Sequence, residues 1–306
     1  MNICQLFSTF LPTTCGGVEK HILTLSEAEA MKAHHVLLLL PRRDFLPSYE
    51  TLGPNLEIVR IGTGIPTNFS SKRFIGTFFD FFSNNIDFLL GAWAWLHKGD
   101  NIKKIDLIHA HSDGIFGYSL RNGHVLKKWT KKPVVVSFHQ KIGMKMGDIP
   151  PQLRWFDRLL GGASKIIVHR KRNLQFFCKW GYTDKVVFIP IPIDVKRFHK
   201  PKDFKPSGKL RLLYVGRLDH RRGIITLLHA FQSIHKLHSN VELHIVGYGE
   251  LENQIRETCY RFQLEKAVFF HGKQLDVRRY LWSSDIFLSL NISDNYPSLA
   301  LRARAR

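Results

Sequence analysis

With 306 residues, 44% hydrophobic and 12% aromatic, the chain can bury a large core, most simply as two domains, and is not a disordered composition. Its 45 Lys and Arg against 25 Asp and Glu give a formal charge of +20, a field that attracts anionic lipid or phosphorylated substrates. No nucleic-acid reading module accompanies the charge, and neither the 4 cysteines nor the 16 histidines show metal-ligand spacing, so no nucleic acid, metal or cofactor is expected.

Asn2–Phe7 reads as a buried strand. Thr13-Thr14-Cys15-Gly16-Gly17-Val18-Glu19 then joins it to a helix with Val18, Ile22 and Leu25 on one side. Two glycines let backbone approach a ligand, and helix N-terminal N–H groups favour an anion. Runs 35–40 and 56–61 are further strands. Phe74–Leu96 is the most apolar stretch, but Asp80, Asn84, Asn85 and Asp87 interrupt it. It reads as an amphipathic pair of helices packed on the first domain, with a membrane-surface segment as the alternative.

Runs 105–109, 134–138, 166–169 and 186–189 complete a series of short β-branched strands. Ile108-His109-Ala110-His111 and Val136-Ser137-Phe138-His139 place histidines at strand ends, where cleft residues collect in open α/β sheets. Pro190-Ile191-Pro192 and the basic stretch to Pro206 read as a connection, with domains at 1–195 and 196–306. The expected class is α/β, with two doubly wound, mostly parallel Rossmann-like sheets.

The second half is the more informative. The apolar run Leu212–Val215 breaks at Gly216-Arg217. A loop with Arg221, Arg222 and Gly223 follows, then a helix bearing Ile224, Leu227, Leu228, Phe231 and Ile234. A further strand, Leu243–Val246, breaks at Gly247-Tyr248-Gly249. This βαβ unit sets two cations where a strand ends, and a guanidinium pairs two oxygens of a diphosphate without losing its charge.

These residues resemble the donor-binding half of the family-four, GT-B-fold glycosyltransferases, which transfer sugars from nucleotide donors with retention. Val215-Gly216-Arg217-Leu218, Arg222-Gly223 and Leu243-x-Ile245-Val246-Gly247-x-Gly249 follow the family pattern, with Arg222 where Lys is usual. The resemblance implies that Arg217 and Arg222 hold the donor diphosphate and that Gly16, Gly17, Gly216, Gly247 and Gly249 shape the donor site. It implies that His139, in a V-x-T-F-H-like context, contacts the transferred sugar, so His139, Arg217 and Arg222 form the expected catalytic set. Asp294 falls at the first acid of the family's Glu-x7-Glu element, with Ser298 and Leu299 beside the donor, while the second acid falls on Arg302.

A cation there removes the acceptor that ribose hydroxyls require. The ending LRARAR lacks amphipathic logic, and the chain reads as cut short or frame-shifted just past Leu301. The expectation is a hexosyltransferase-type enzyme with a nucleotide-sugar donor and a glycan or lipid-linked acceptor, acting at the cytoplasmic face of an anionic membrane. Weak or absent transfer is expected of the shortened chain. The alternative is an inactive remnant that keeps the fold. A nicotinamide dehydrogenase ranks last, because Glu252 stands at the third glycine position.

Overall fold

The computed structural model describes residues 1–8, 17–42, 46–63, 74–112, 118–139, 160–199 and 208–290. The chain divides into two compact units, Met1–Pro192 and Ile193–Arg306. The division falls three residues before the boundary read at 195/196, and packing explains the difference. Asp194 caps the short helix Val195–Phe198, Phe198 joins the second unit's core, and Trp282 Nε1 donates to its carbonyl at 3.1 Å.

The first unit is one sheet of β1 (Asn2–Leu6), β2 (His35–Pro41), β3 (Tyr49–Gly53), β4 (Leu56–Ile61), β5 (Leu107–Ser112), β6 (Val134–Phe138), β7 (Lys165–Val168) and β8 (Val186–Phe188). Their spatial order is β3-β4-β2-β1-β5-β6-β7-β8, parallel except for the β3–β4 pair. The order runs outward in both directions from β1, so the β1/β5 junction is the switch point where such sheets open a crevice beyond their carboxyl ends. Sequence reading missed β3, which lies at the edge and is mostly exposed, so it carries no apolar signature. It also began β5 too early. The observed strand runs to Ser112, which brings His109 and His111 inside the sheet.

Strand alternation separates the two faces. Cys4, Leu6, Ile108, Ala110, Val134, Val136, Phe138, Ile166 and Val168 point to an apolar layer completed by Phe88, Ala92 and Leu96 of helix α2 (Phe74–His97). Phe7, Leu38 and Leu40 point the other way, onto Ile22 of helix α1 (Gly17–Met31). The stretch expected as a helix pair is a single helix, and Asp87 within it accepts a hydrogen bond from Thr63 N at 2.9 Å. No described helix is long and apolar enough to cross a membrane.

The second unit holds β9 (Leu210–Val215), β10 (Val241–Val246), β11 (Val268–Phe270) and β12 (Ile286–Leu288), all parallel, in the order β11-β10-β9-β12. Its switch point is β9/β12. The helices Ile224–Leu237 and Glu252–Arg261 cover one face through Leu227, Leu228, Phe231, Ile255 and Cys259.

The loops after β9 and β10 interlock, and this explains their glycines. Gly216 N donates to Val246 O (3.0 Å) and Leu218 N to Tyr248 O (3.0 Å). A Cβ on Gly247 would run into the carbonyl oxygen of Gly216, and one on Gly249 into that of Leu218. Gly247 also has φ +154°, and Gly223, at the start of Ile224–Leu237, has φ +64°. Replacing Gly247 by Ala is therefore expected to cost about 3 kcal/mol, from backbone strain and forced separation of the loops. Gly208→Ala, where a Cβ meets nothing within 4 Å, is expected to stay within about 0.5 kcal/mol. Urea unfolding of both variants checks this, and equal stabilities would contradict it.

Candidate functional site

In the first unit the polar face beside α1 gathers histidines that are far apart in sequence. Alternation puts Gln5 of β1, His109 and His111 of β5, and Ser137 of β6 on that face, with His139 and His169 immediately beyond β6 and β7. Pairing of Gln5 with His109 and of His111 with Ser137 brings the strands into step. His21 of α1 comes down onto the same group, its ring 5.1 Å from His139 and 5.0 Å from His169. The rings of His139 and His169 stack at 4.8 Å. The exposed fractions of His21, His109, His111 and His139 are all 6% or less.

The hydrogen-bond network fixes where the protons lie. Gln5 Nε2 donates to Glu29 Oε2 (2.6 Å), which turns Gln5 Oε1 towards His111 Nε2 (3.2 Å). An amide oxygen only accepts, so His111 is protonated on Nε2 and bare on Nδ1. That bare nitrogen lies 3.1 Å from His139 Nε2 and accepts its N–H. His139 Nδ1 is then a lone pair, buried and with no hydrogen-bond partner among the described residues. His169 Nδ1 donates to Ile189 O at 2.7 Å, leaving its buried Nε2 in the same condition. His109 Nε2 meets Ser137 Oγ at 2.7 Å.

Burial keeps this cluster neutral. Loss of solvation, and then the neighbouring His169, brings His109 down to about 4. Desolvation first and surrounding histidines second hold His111 and His139 well below the usual imidazole range, and His169 is also lowered by burial. Glu29 moves in the opposite sense, up to about 6, because burial outweighs the Gln5 hydrogen bond.

In the second unit Arg217 and Arg222 both follow the carboxyl end of β9. Arg217 is exposed, with Nε 3.9 Å from Oδ2 of the buried Asp219. Arg222 closes the short turn His220–Arg222, its N–H donating to Asp219 O (3.1 Å), and its side chain is half-buried. Tyr214 lies beneath both. Its hydroxyl donates to Arg217 O (2.9 Å), and burial pushes the phenol up to about 12 against the pull of the Arg222 charge. The loop is thus anchored by the Tyr214 phenol and the backbone carbonyl of Asp219.

A hollow of about 520 Å³ lies beyond β11, lined by Lys273, Gln274, Asp276, Arg278, Arg279 and Trp282. Lys273 sits 5.2 Å from the Tyr248 ring, and Gly247 N donates to Gly272 O (2.8 Å), which ties this rim to the glycine loops. Arg278 pairs with Asp276 and, by that hydrogen bond, holds its carboxyl at about 2.

Of the residues singled out in the sequence, Gly17 opens α1 and is exposed, and His139 ends the first unit's cluster. Gly216, Gly247 and Gly249 meet where the loops after β9 and β10 interlock, and Arg217 and Arg222 lie on the loop after β9. Gly16, Asp294, Ser298 and Leu299 lie outside the described residues. Sequence reading missed Gln5, His21, Glu29 and His169 as partners of His139. Polar residues at every second position of the strands were the available signal.

Two Rossmann-like units, each with its polar side chains at the switch point of a parallel sheet, form the layout of the GT-B glycosyltransferases. Residues 15–197, more than half of the chain, match Glycosyltransferase Family 4, and residues 195–305 match Glycosyl transferases group 1. The chain belongs to glycosyltransferase family 4. An uncharacterized glycosyltransferase of Methanocaldococcus jannaschii is 26% identical, the alignment covering 100% of this chain and 78% of that protein. A phosphatidyl-myo-inositol mannosyltransferase of Mycobacterium tuberculosis is 25% identical over 78% of this chain, which spans only 58% of that relative's length. The crystal structure of Anabaena HepE with UDP-glucose shares the fold at a TM-score of 0.67 and 15% identity, covering 100% of this chain and 78% of that one.

The neutral cluster makes stability depend on pH. A histidine whose folded value is depressed favours the folded state above its unfolded value near 6.5, and that contribution is lost as pH falls towards 4. For His109, held at about 4, the loss is on the order of 3 kcal/mol. Glu29, raised to about 6, acts in reverse: its contribution is complete below pH 4.5 and is lost as pH rises through 6. Urea unfolding at pH 7.0 and about 4.5 is expected to show wild type losing on the order of 3 kcal/mol more than His109→Gln. Parallel losses would contradict a neutral buried His109.

Proposed function

We propose that this protein is a retaining glycosyltransferase that takes a nucleotide-sugar donor and transfers its sugar to a lipid-linked acceptor at an anionic membrane surface. One observation carries the reading: two arginines, Arg217 and Arg222, follow the central strand β9 on a loop locked by the Gly216–Gly247 contact and by Tyr214. A guanidinium pair on a fixed loop suits a diphosphate and stabilises its charge as it leaves, at no cost of reorganisation. The cationic hollow with Trp282 offers a flat ring and positive charge suited to the rest of a nucleotide. UDP-glucose in the Anabaena protein supports a nucleotide-sugar as the donor class.

In the proposed reaction the bond between sugar C1 and the diphosphate oxygen breaks, and the electron pair stays on that oxygen. The acceptor hydroxyl forms the new bond to C1 on the same face and gives its proton to the departing phosphate. Arg217 and Arg222 take up the developing negative charge. His139, neutral and bare at Nδ1, accepts a hydrogen bond from a sugar hydroxyl and so orients the ring. Glycine backbone at Gly216, Gly247 and Gly249 contributes close approach rather than charge.

The acceptor class rests on α2 and on the mycobacterial relative, whose name couples mannosyl transfer to a phosphatidyl lipid. Ile86, Leu90 and Trp93 form a stripe on α2 that is 48%, 66% and 52% exposed, and Lys98, Lys103 and Lys104 follow at its end. Apolar and aromatic side chains beside lysines suit the interface of an anionic bilayer.

Donor binding is tested by thermal shift with UDP-, GDP- and ADP-sugars. A donor at 100 times its dissociation constant is expected to stabilise by about 2.7 kcal/mol, and Arg217→Ala with Arg222→Ala to abolish the shift. No shift with any of the three, or an unchanged shift in the double variant, would overturn the diphosphate assignment. Sedimentation with phosphatidylglycerol vesicles tests the membrane. Leu90→Gln with Trp93→Gln is expected to release most of the bound protein, and unaltered sedimentation would refute the α2 contact.

A further inference from the structure

We propose that His21, His139 and His169 form a binding site for one divalent transition-metal ion of the zinc class. The proposal goes beyond the transferase reading and stands without it. Each residue offers one ring nitrogen, and these three nitrogens all lie within 4.8 Å of one another. Three nitrogens at 2.0–2.1 Å around a tetrahedral ion are about 3.4 Å apart, so modest ring rotations close the site. The ring centroids, 5.1, 5.0 and 4.8 Å apart, already form the near-equilateral triangle that three converging imidazoles make.

A second observation sets this group apart from an ordinary buried polar cluster. His139 is 5% exposed, yet its Nδ1 has no hydrogen-bond partner among the described residues, and neither has the buried Nε2 of His169. A buried lone pair left without a donor costs free energy, and a metal ion satisfies two here at once. The outer contacts are those that metal-bound histidines use. His169 donates its other ring N–H to Ile189 O, and His139 donates its own to His111, which Gln5 and Glu29 hold in turn. Nitrogen ligands exclude Mg²⁺ and Ca²⁺, which take oxygen, and favour Zn²⁺, Co²⁺, Ni²⁺ or Cu²⁺.

Three protein ligands leave a fourth position of a tetrahedral ion for water or a ligand atom. The ion would occupy the His139 lone pair that the transfer reaction assigns to the sugar, so metal-loaded protein is expected to be blocked at that contact. The ligands come from α1 and from the ends of β6 and β7, with no common spacing to mark them as a set.

The test uses the full 306-residue chain without a histidine tag, freed of metal, with Zn²⁺ titrated against a chromophoric chelator. One tight Zn²⁺ per chain is expected. His21→Gln and His169→Gln are each expected to weaken it about tenfold or more, while His244→Gln, in the second unit, leaves it unchanged. No tight Zn²⁺ in wild type, or undiminished affinity in both folded variants, would overturn the proposal. Should the variants fail to fold by circular dichroism, Co²⁺ added to wild type decides: intense tetrahedral-type visible bands support the site, and weak octahedral-type bands or none refute it. Neither readout involves a sugar donor, so this failure and failure of the transferase reading are separable.

Discussion

The hydrogen-bond relay from Glu29 through Gln5 and His111 to His139 is the constraint on which the first unit's chemistry depends. Each link admits one orientation: the Gln5 amide must donate to the carboxylate, so its oxygen must accept from His111, so His111 must accept from His139. The result is a neutral imidazole whose outward nitrogen is a lone pair. Burial enforces the same outcome independently, since a charged ring in this layer would face four other histidines without a counter-ion among them. The sugar contact and the metal site proposed above would both draw on that one electron pair.

The second unit uses backbone geometry where the first uses proton positions. Gly247 and Gly249 bring two strand-to-helix loops into direct contact, leaving no room for a side chain at either position. Tyr214 and the buried Asp219 then hold the loop that carries Arg217 and Arg222. A cation on such a loop favours an external anion only if it does not collapse onto an internal carboxylate. At 3.9 Å and with Arg217 exposed, its pairing with Asp219 is loose enough to exchange for a stronger, bidentate acceptor.

Much of this fold was legible because buried parallel strands are short runs of Val, Ile and Leu between glycine and proline breaks. β4, β6 and the βαβ core of the second unit stand where those runs stand. The exposed edge strand β3 was not legible, and the polar residues inside α2 suggested a break where the helix is continuous. The arginine loop could be read because strand, loop and helix are contiguous in sequence. The histidine cluster could not, because its members are joined only by strand register. His111 is 28 residues from His139 and 106 from Gln5, and only pairing of β1, β5 and β6 makes them neighbours. The alternation Ile108-His109-Ala110-His111 was nevertheless the clue: two histidines on the same face of a buried strand need polar company on that face.

The most direct measurement of the central claim is long-range ¹H–¹⁵N NMR of the imidazole rings in metal-free protein near pH 7. The relay predicts that His139 is neutral, protonated on Nε2 and bare on Nδ1, and that His169 is the opposite tautomer. An imidazolium at His139, or a proton on its Nδ1, would contradict the relay and remove the lone pair that both the sugar contact and the metal site require.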